Sequence, residues 1–166
     1  MIKALSVLAF LAPSVALGYY AENASGAVPL AFQDYQCLAL ATYHEAKGES
    51  VTGKSAIAYV VVNRYYDERY PDDICDVVYQ GQHDSNGNPI RNACQFSFYC
   101  DGKSDEPIYY DQYAVSLLIA IEVINTYDEA NDPTMGATMF HADYVKPYWS
   151  DSFERTTKIG NHIFYR

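Results

Sequence analysis

Thr42-Tyr43-His44-Glu45-Ala46-Lys47-Gly48-Glu49 reads as the end of a helix, with one acid just inside it and a second just beyond. Upstream, Cys37, Leu38, Ala41, Thr42 and Glu45 recur at spacings of three and four, which puts them on one helical face. Asp34 is a residue type that caps a helix N-terminus, and Gly48 one that follows a C-terminus. The pattern predicts a helix over 34–47. Glu45 then lies in its last turn, where the partial negative end of the aligned peptide dipoles disfavours another negative charge. Burial adds to that, and both effects raise a carboxyl pKa. A carboxylic acid that keeps its proton near neutral pH is what a glycosidic oxygen requires of a general acid. Taken alone, Glu45 and Glu49 are better explained as two solvated helix-end charges, since such pairs are common on helix surfaces.

The surrounding chain narrows the choice. Its 166 residues suggest a single domain. Met1-Ile2-Lys3 carries one positive charge, Ala4 to Ala16 is apolar and uncharged, and Ala16-Leu17-Gly18 offers small residues where a signal peptidase reads. Residues 1–18 are therefore expected to be a secretory signal, cleaved before Tyr19. The run is short for a bilayer span and Pro13 interrupts it, so no membrane anchor is expected to remain. The net charge of −10 and the absence of a Lys/Arg cluster argue against nucleic acid as a partner. Export makes disulfides the expected state of Cys37, Cys75, Cys94 and Cys100, with three pairings open. No Cys-x-x-Cys occurs and no His stands at ligand spacing from Cys94 or Cys100, so neither a metal nor another cofactor is expected.

Residues 19–33 read as a flexible mature N-terminus. A second helix is expected from a Thr52 cap to about Tyr66, with Ala56, Ile57, Val60, Val61 and Arg64 at helical spacing. A short helix fits 72–80, and a hairpin or exposed loop fits the turn-rich stretch 81–92. Residues 109–127 form the longest apolar-periodic helix, with Ala114, Leu117, Leu118, Ile121 and Ile124 expected inward. A strand is expected over 136–145 and a strand pair over 153–165, turning near Gly160-Asn161. The architecture expected from this order is an α+β domain, mostly helical with a small β lobe, over 34–166.

Three chemistries can be set aside or held open. His44-Glu45 starts a zinc-protease motif, but the second His would fall on Gly48. No Gly-x-Ser-x-Gly elbow exists. A thiol peptidase would need a free, activated cysteine with His141 as a candidate partner, and export argues for paired cysteines. The aromatic complement of Tyr 17, Phe 7 and Trp 1 instead suits sugar faces, with Phe96, Phe98, Tyr99, Tyr144, Tyr148 and Trp149 in expected loops.

From about Gln36 to Arg166 the chain resembles the SleB/CwlJ-type cell-wall hydrolases, the spore-cortex-lytic enzymes and their relatives. The pieces that carry the likeness are Tyr43-His44-Glu45-Ala46-Lys47-Gly48-Glu49, Ala58-Tyr59-Val60-Val61-Val62-Asn63-Arg64, Tyr70 to Gln80, and Gln95-Phe96-Ser97-Phe98 with Cys100-Asp101-Gly102. Asp132-Pro133-Thr134, Phe140-His141-Ala142, Pro147, Trp149 and Ile159 to Tyr165 complete the series in order. The resemblance implies a lysozyme-like fold and cleavage between N-acetylmuramic acid and N-acetylglucosamine, mainly by lytic transglycosylation. It places the catalytic acid on Glu45. It also suggests a Cys75–Cys100 disulfide, which would leave Cys37 with Cys94. Lys47 stands where the family usually has Arg, and His44 where Gly is more frequent; the first change keeps the charge and loses a bidentate fork.

The expected chemistry follows. Glu45 protonates the glycosidic oxygen and then, as carboxylate, takes the proton of the muramoyl 6-hydroxyl as that oxygen attacks the anomeric carbon. This differs from glycosidases whose two carboxylates flank the bond. Glu49 either tunes Glu45 by like-charge proximity or is an N-terminal charge of the next helix. Gln95 and Ser97 are expected to bind N-acetyl groups, Tyr144 and Trp149 to stack on sugar rings, and His141 to serve as a hydrogen-bond partner. The partner is thus peptidoglycan, met by a monomer outside the cytoplasm. Two alternatives remain: a non-catalytic peptidoglycan-binding module, and a hydrolysing muramidase using Glu49 or Asp101 as second carboxylate.

Overall fold

A computed structural model describes residues 30–166, so the expected signal over 1–18 and most of the expected flexible segment lie outside the described residues. Helix α1 spans Phe32–Glu45, which starts it inside the segment expected to be flexible. Asp34 is therefore not the cap but a first-turn residue, and its carboxylate reaches back to accept the Ala31 N–H at 2.6 Å. Helix α2 runs Val51–Tyr66. Ser50, not Thr52, caps it, accepting the Gly53 N–H at 3.2 Å. Short helix α3 covers Ile74–Val78 under an Asp73 cap. The hairpin follows as β1, Gly81–His83, and β2, Pro89–Cys94.

Every residue of α2 from Ala56 to Arg64 is buried. A helix apolar on all sides is one enclosed on all sides, and this explains why the Val60-Val61-Val62 run is helical despite the β preference of valine. One face packs against α1, α3 and helix α4, Tyr110–Thr126, through Leu38, Val61, Ile74, Val78, Ile119 and Val123. The other, with Ala56, Ile57 and Val60, meets Ala137 and Phe164 of the β lobe. That lobe is a three-stranded antiparallel sheet of β3, Met139–Ala142, β4, Arg155–Ile159, and β5, His162–Tyr165, in the spatial order β3-β5-β4. The pairing sets His141 opposite Ile163 and Ala142 opposite His162. The fold is thus the expected mixed α+β type. Among the described residues no helix is long and apolar enough to cross a membrane.

Two expectations are corrected. The inward face of α4 is Ser116, Ile119, Ala120 and Val123, flanked by Leu117 and Ile124, whereas Leu118 is 68% exposed and Ala114 and Ile121 face solvent. Apolar residues ring so much of α4 that periodicity gives two overlapping faces. The small Ser116 and Ala120 decide between them by letting α1 and α2 approach. The disulfides are Cys37–Cys75 and Cys94–Cys100, not Cys75–Cys100 and Cys37–Cys94. Cys37 lies on the α1 face packed against α3, which carries Cys75, while Cys94 and Cys100 flank a tight turn between β2 and a 3₁₀ turn at Ser97–Cys100.

The Cys37–Cys75 bridge closes a segment with a sequence separation of 38. The double variant Cys37→Ala/Cys75→Ala is expected to lose about 2–4 kcal/mol of unfolding free energy, read by urea denaturation. Non-reducing peptide mapping should recover 37–75 and 94–100 as the linked pairs; a 75–100 peptide would refute this connectivity.

Candidate active site

Glu45 is the final residue of α1, and Ala46 and the positive-φ Gly48 turn the chain away at once. The carboxyl group consequently projects from a helix end into a cleft of about 580 Å³ between the helical body and the β lobe. Arg64 of α2, Gln95 and Ser97 after β2, Phe140 and His141 of β3, Tyr144 and Trp149 of the following loop, and His162 of β5 line the same cleft. Among the described residues lining it, Glu45 is the one carboxylic acid.

Burial pushes the Glu45 pKa up to about 7. Hydrogen bonding from the Ser97 main chain and hydroxyl and the positive charge of Arg64 act in the opposite direction without overcoming it. The group is therefore a carboxylic acid over much of the range in which an ordinary glutamate is ionised. Arg64 is 3% exposed. Its Nε donates to the Thr138 carbonyl at 2.7 Å, and the guanidinium lies over the Tyr70 and Phe96 rings at 5.2 and 5.1 Å. Its Nη1 is buried with no hydrogen-bond partner among the described residues. An unmatched buried donor costs free energy, and here it sits on the wall of the cleft that holds the acid.

The expected substrate-binding residues divide. Gln95, Ser97, His141, Tyr144 and Trp149 converge on the cleft with Glu45. Glu49 does not line it. Its carboxylate is folded under the β4–β5 turn, accepting the Asn161 N–H at 3.2 Å and Asn161 Nδ2 at 2.9 Å. Asp101 also stays outside, bound to the Lys103 N–H and Nζ at 2.8 and 3.2 Å. His141 takes the hydrogen-bonding part expected of it, between the Ala142 carbonyl and the Tyr165 hydroxyl, each at 2.9 Å. Trp149 is wedged edge-on against His141, Phe153 and Tyr165, so its ring is largely spoken for. Tyr144 is 84% exposed at the cleft rim.

Arg64, Phe140 and His162 were given no role by the sequence. An arginine closing a buried apolar helical run was the available signal for the first, since such a charge needs a partner. His44 and Lys47, the departures from the family motif, lie beside the cleft elements: His44 stacks on Phe98 at 4.5 Å and bonds the Asp105 carbonyl, and Lys47 sits over Tyr109 at 5.7 Å. Asp34, Asp73 and the Cys75 sulfur come within 4.8 Å of one another, but the disulfide removes the thiolate a metal would use.

A sequence model of the cell wall hydrolase family matches residues 48–165. The chain belongs to that family. The match takes in Arg64, Gln95, Ser97, His141 and His162 and begins just after Glu45. A spore cortex-lytic enzyme of Halalkalibacterium halodurans is 30% identical over 132 residues, 79% of this chain and 34% of that protein. That of Bacillus subtilis is 27% identical over 131 residues, 79% of this chain and 37% of the relative. The chain thus spans little more than a third of these curated relatives. The catalytic domain of the germination-specific lytic transglycosylase SleB from Bacillus anthracis superimposes with a TM-score of 0.63 at 25% identity, covering 83% of this chain and 98% of that one. The Bacillus cereus SleB catalytic domain shares the fold at TM-score 0.63 and 24% identity, over 87% of this chain and 99% of that one.

Two outcomes follow from the geometry. A folded-state pKa near 7 against 4.5 in the unfolded chain means that the native protein binds the Glu45 proton more tightly. Its contribution to stability is present below pH 4.5 and is lost as pH rises through about 7. Glu45→Gln should therefore melt above the parent at pH 8.5 and close to it at pH 4, read by thermal denaturation. Trp149→Ala should cost roughly 2–3 kcal/mol of stability as a partly buried aromatic is removed, while Tyr144→Ala should leave the melting temperature unchanged.

Proposed function

We propose that the cleft cleaves the glycan strand of peptidoglycan between N-acetylmuramic acid and N-acetylglucosamine as a lytic transglycosylase, with Glu45 as the proton donor. The observation that carries this reading is a single acid, held protonated to about pH 7, in a cleft walled by aromatic and hydrogen-bonding side chains. A glycosidic oxygen leaving from an anomeric carbon needs a proton as the bond breaks. Glu45 supplies it, and Arg64 stabilises the carboxylate left behind. Since the attacking group is the substrate's own 6-hydroxyl, no second carboxylate is required, and the ionised Glu45 is itself able to take the hydroxyl proton. The product carries a 1,6-anhydro ring.

The two-carboxylate muramidase loses support because Glu49 and Asp101 are both engaged elsewhere. A thiol mechanism loses support because all four cysteines are bridged. In this reading Gln95 and Ser97, which line the cleft with Glu45, bind N-acetyl groups, and the exposed Tyr144 ring stacks on a sugar. The names of the relatives agree with a glycan-cleaving activity, and a peptidoglycan substrate puts the site of action outside the cytoplasm, in line with a cleaved signal over 1–18 and a monomeric domain.

Glu45→Gln keeps the shape and removes the acid. It is expected to lower muropeptide release from purified sacculi by a factor of about 10² or more. Mass spectrometry of the parent digest should show ends lighter than reducing ends by one water; reducing ends alone would replace transglycosylation with hydrolysis.

A further inference from the structure

Glu49 lies outside the cleft, yet its side chain is only 6% exposed, and its seat is built for it. Asn161 holds Oε1 from main chain and side chain together. Gly53 and Gly160 flank the carboxylate so closely that a Cβ at either would collide with it. Burial of a carboxylate is costly unless the charge is hydrogen-bonded and paired. The group facing it is His162, whose Nδ1 lies 3.7 Å from Glu49 Oε1, is itself buried and has no hydrogen-bond partner among the described residues. The His162 ring stands edge-on to Phe140 at 5.4 Å and lines the Glu45 cleft. The two ring nitrogens sit on different edges of an imidazole, so an Nδ1 turned to Glu49 leaves Nε2 for the cleft.

We propose that Glu49 and His162 form a working pair in which the buried carboxylate keeps the His162 proton on Nδ1, so that Nε2 accepts the proton of the attacking substrate hydroxyl. The inference rests on the transglycosylase reading and divides between two residues what Glu45 would otherwise do in sequence. The muramoyl 6-hydroxyl gives its proton to His162 Nε2 as its oxygen bonds to the anomeric carbon. The anomeric carbon–oxygen bond to the leaving sugar breaks, and Glu45 delivers its proton to that oxygen. The turnover ends with Glu45 as carboxylate and His162 as imidazolium, and transfer of one proton from the second to the first restores the start. No co-reactant is consumed. Glu49 is the positioning residue, while His162 touches the reacting hydroxyl.

The surroundings give the required protonation states. Burial lowers the His162 pKa; Glu49 and Asp143 push it back up, and His141 opposes them. Lys54 of α2 bonds the Ala46 carbonyl and offsets the Glu49 charge, and Glu45 and Arg64 share the cleft. Burial thus favours the neutral form of both groups, the free base of His162 and the protonated acid of Glu45.

The test is the pH dependence of muropeptide release from purified sacculi by the whole chain, with kcat and KM separated. His162→Gln is expected to lower kcat by about 10²-fold with KM within about twofold, and to erase the decline on the acid side of the profile. Glu49→Gln should move that decline to lower pH, because it removes the negative charge that favours imidazolium. A His162→Gln protein with the parent rate and an unchanged acid limb overturns the pair. If Glu45→Gln is inactive in the same assay, only the pair is overturned; if Glu45→Gln is also fully active, the transglycosylase reading goes with it. Should His162→Gln not fold, long-range ¹⁵N correlation spectra of the parent protein at pH 7 decide: a neutral ring protonated on Nδ1 is expected, and one protonated on Nε2 or on both nitrogens overturns the proposal.

Discussion

The polar end of α2 is the constraint on which the rest of the molecule depends. Asn63 and Arg64 are both buried, so their polar groups depend on partners within the protein. Asn63 Nδ2 donates to Asp132 Oδ2 at 2.8 Å and to the Ala137 carbonyl at 2.9 Å, and its Oδ1 accepts the Tyr127 hydroxyl at 2.9 Å. Asp132 in turn holds the Thr134 and Gly136 N–H groups, each at 2.7 Å. Half-satisfied networks of this kind cost more than an apolar core would, whereas satisfied ones fix a single arrangement. The arrangement fixed here is the path of 132–138 onto α2, which delivers β3 to the cleft. The next residue along the same helix, Arg64, grips the Thr138 carbonyl from the cleft side. One buried turn thus registers the β lobe against the helical body and places a cation beside the acid.

Glu45 works within that frame because opposing effects are held in balance. With burial alone it would stay protonated to high pH and give up its proton reluctantly; with Arg64 and Ser97 dominant it would be ionised and useless as a donor. Burial wins by a moderate margin, so that the pKa settles at about 7. Arg64 is suited to this task because its guanidinium lies over two aromatic faces, while burial, which disfavours its charge, is opposed by Tyr70 and by Glu45 itself. The Coulomb interaction between the two grows as Glu45 loses its proton, which in the proposed reaction is the moment when stabilisation is needed.

Features set by local pattern were legible in the sequence. The α1 periodicity placed Glu45 at a helix end, the Gly160-Asn161 turn fixed the β4–β5 pairing, and Gln95, Ser97, His141, Tyr144 and Trp149 were recognisable as cleft residues. What the sequence hid was set by contacts between distant residues. Glu49 read as a partner or neighbour of Glu45 because the two are close in the chain, but its hydrogen bonds go to Asn161. The face of α4 was misjudged because apolar residues surround it and only packing against small Ser116 and Ala120 selects one side. The cysteine pairing needed the approach of α3 to α1, which no spacing encodes. Arg64 stood in plain view at the end of a buried run, and its partner atoms lie about seventy residues away.

The second disulfide has a different part from the first. Cys94 and Cys100 are separated by 6 in sequence, so the bridge restricts the unfolded chain far less than Cys37–Cys75 does, and little global stability is expected from it. What it encloses is the turn bearing Gln95, Phe96 and Ser97: one cleft-lining amide, the ring under Arg64, and the donor to Glu45. All three act through position, and a loose turn would let Ser97 and Phe96 move independently of the acid and the cation they tune. The bridge therefore serves the acidity of Glu45 more than the persistence of the fold.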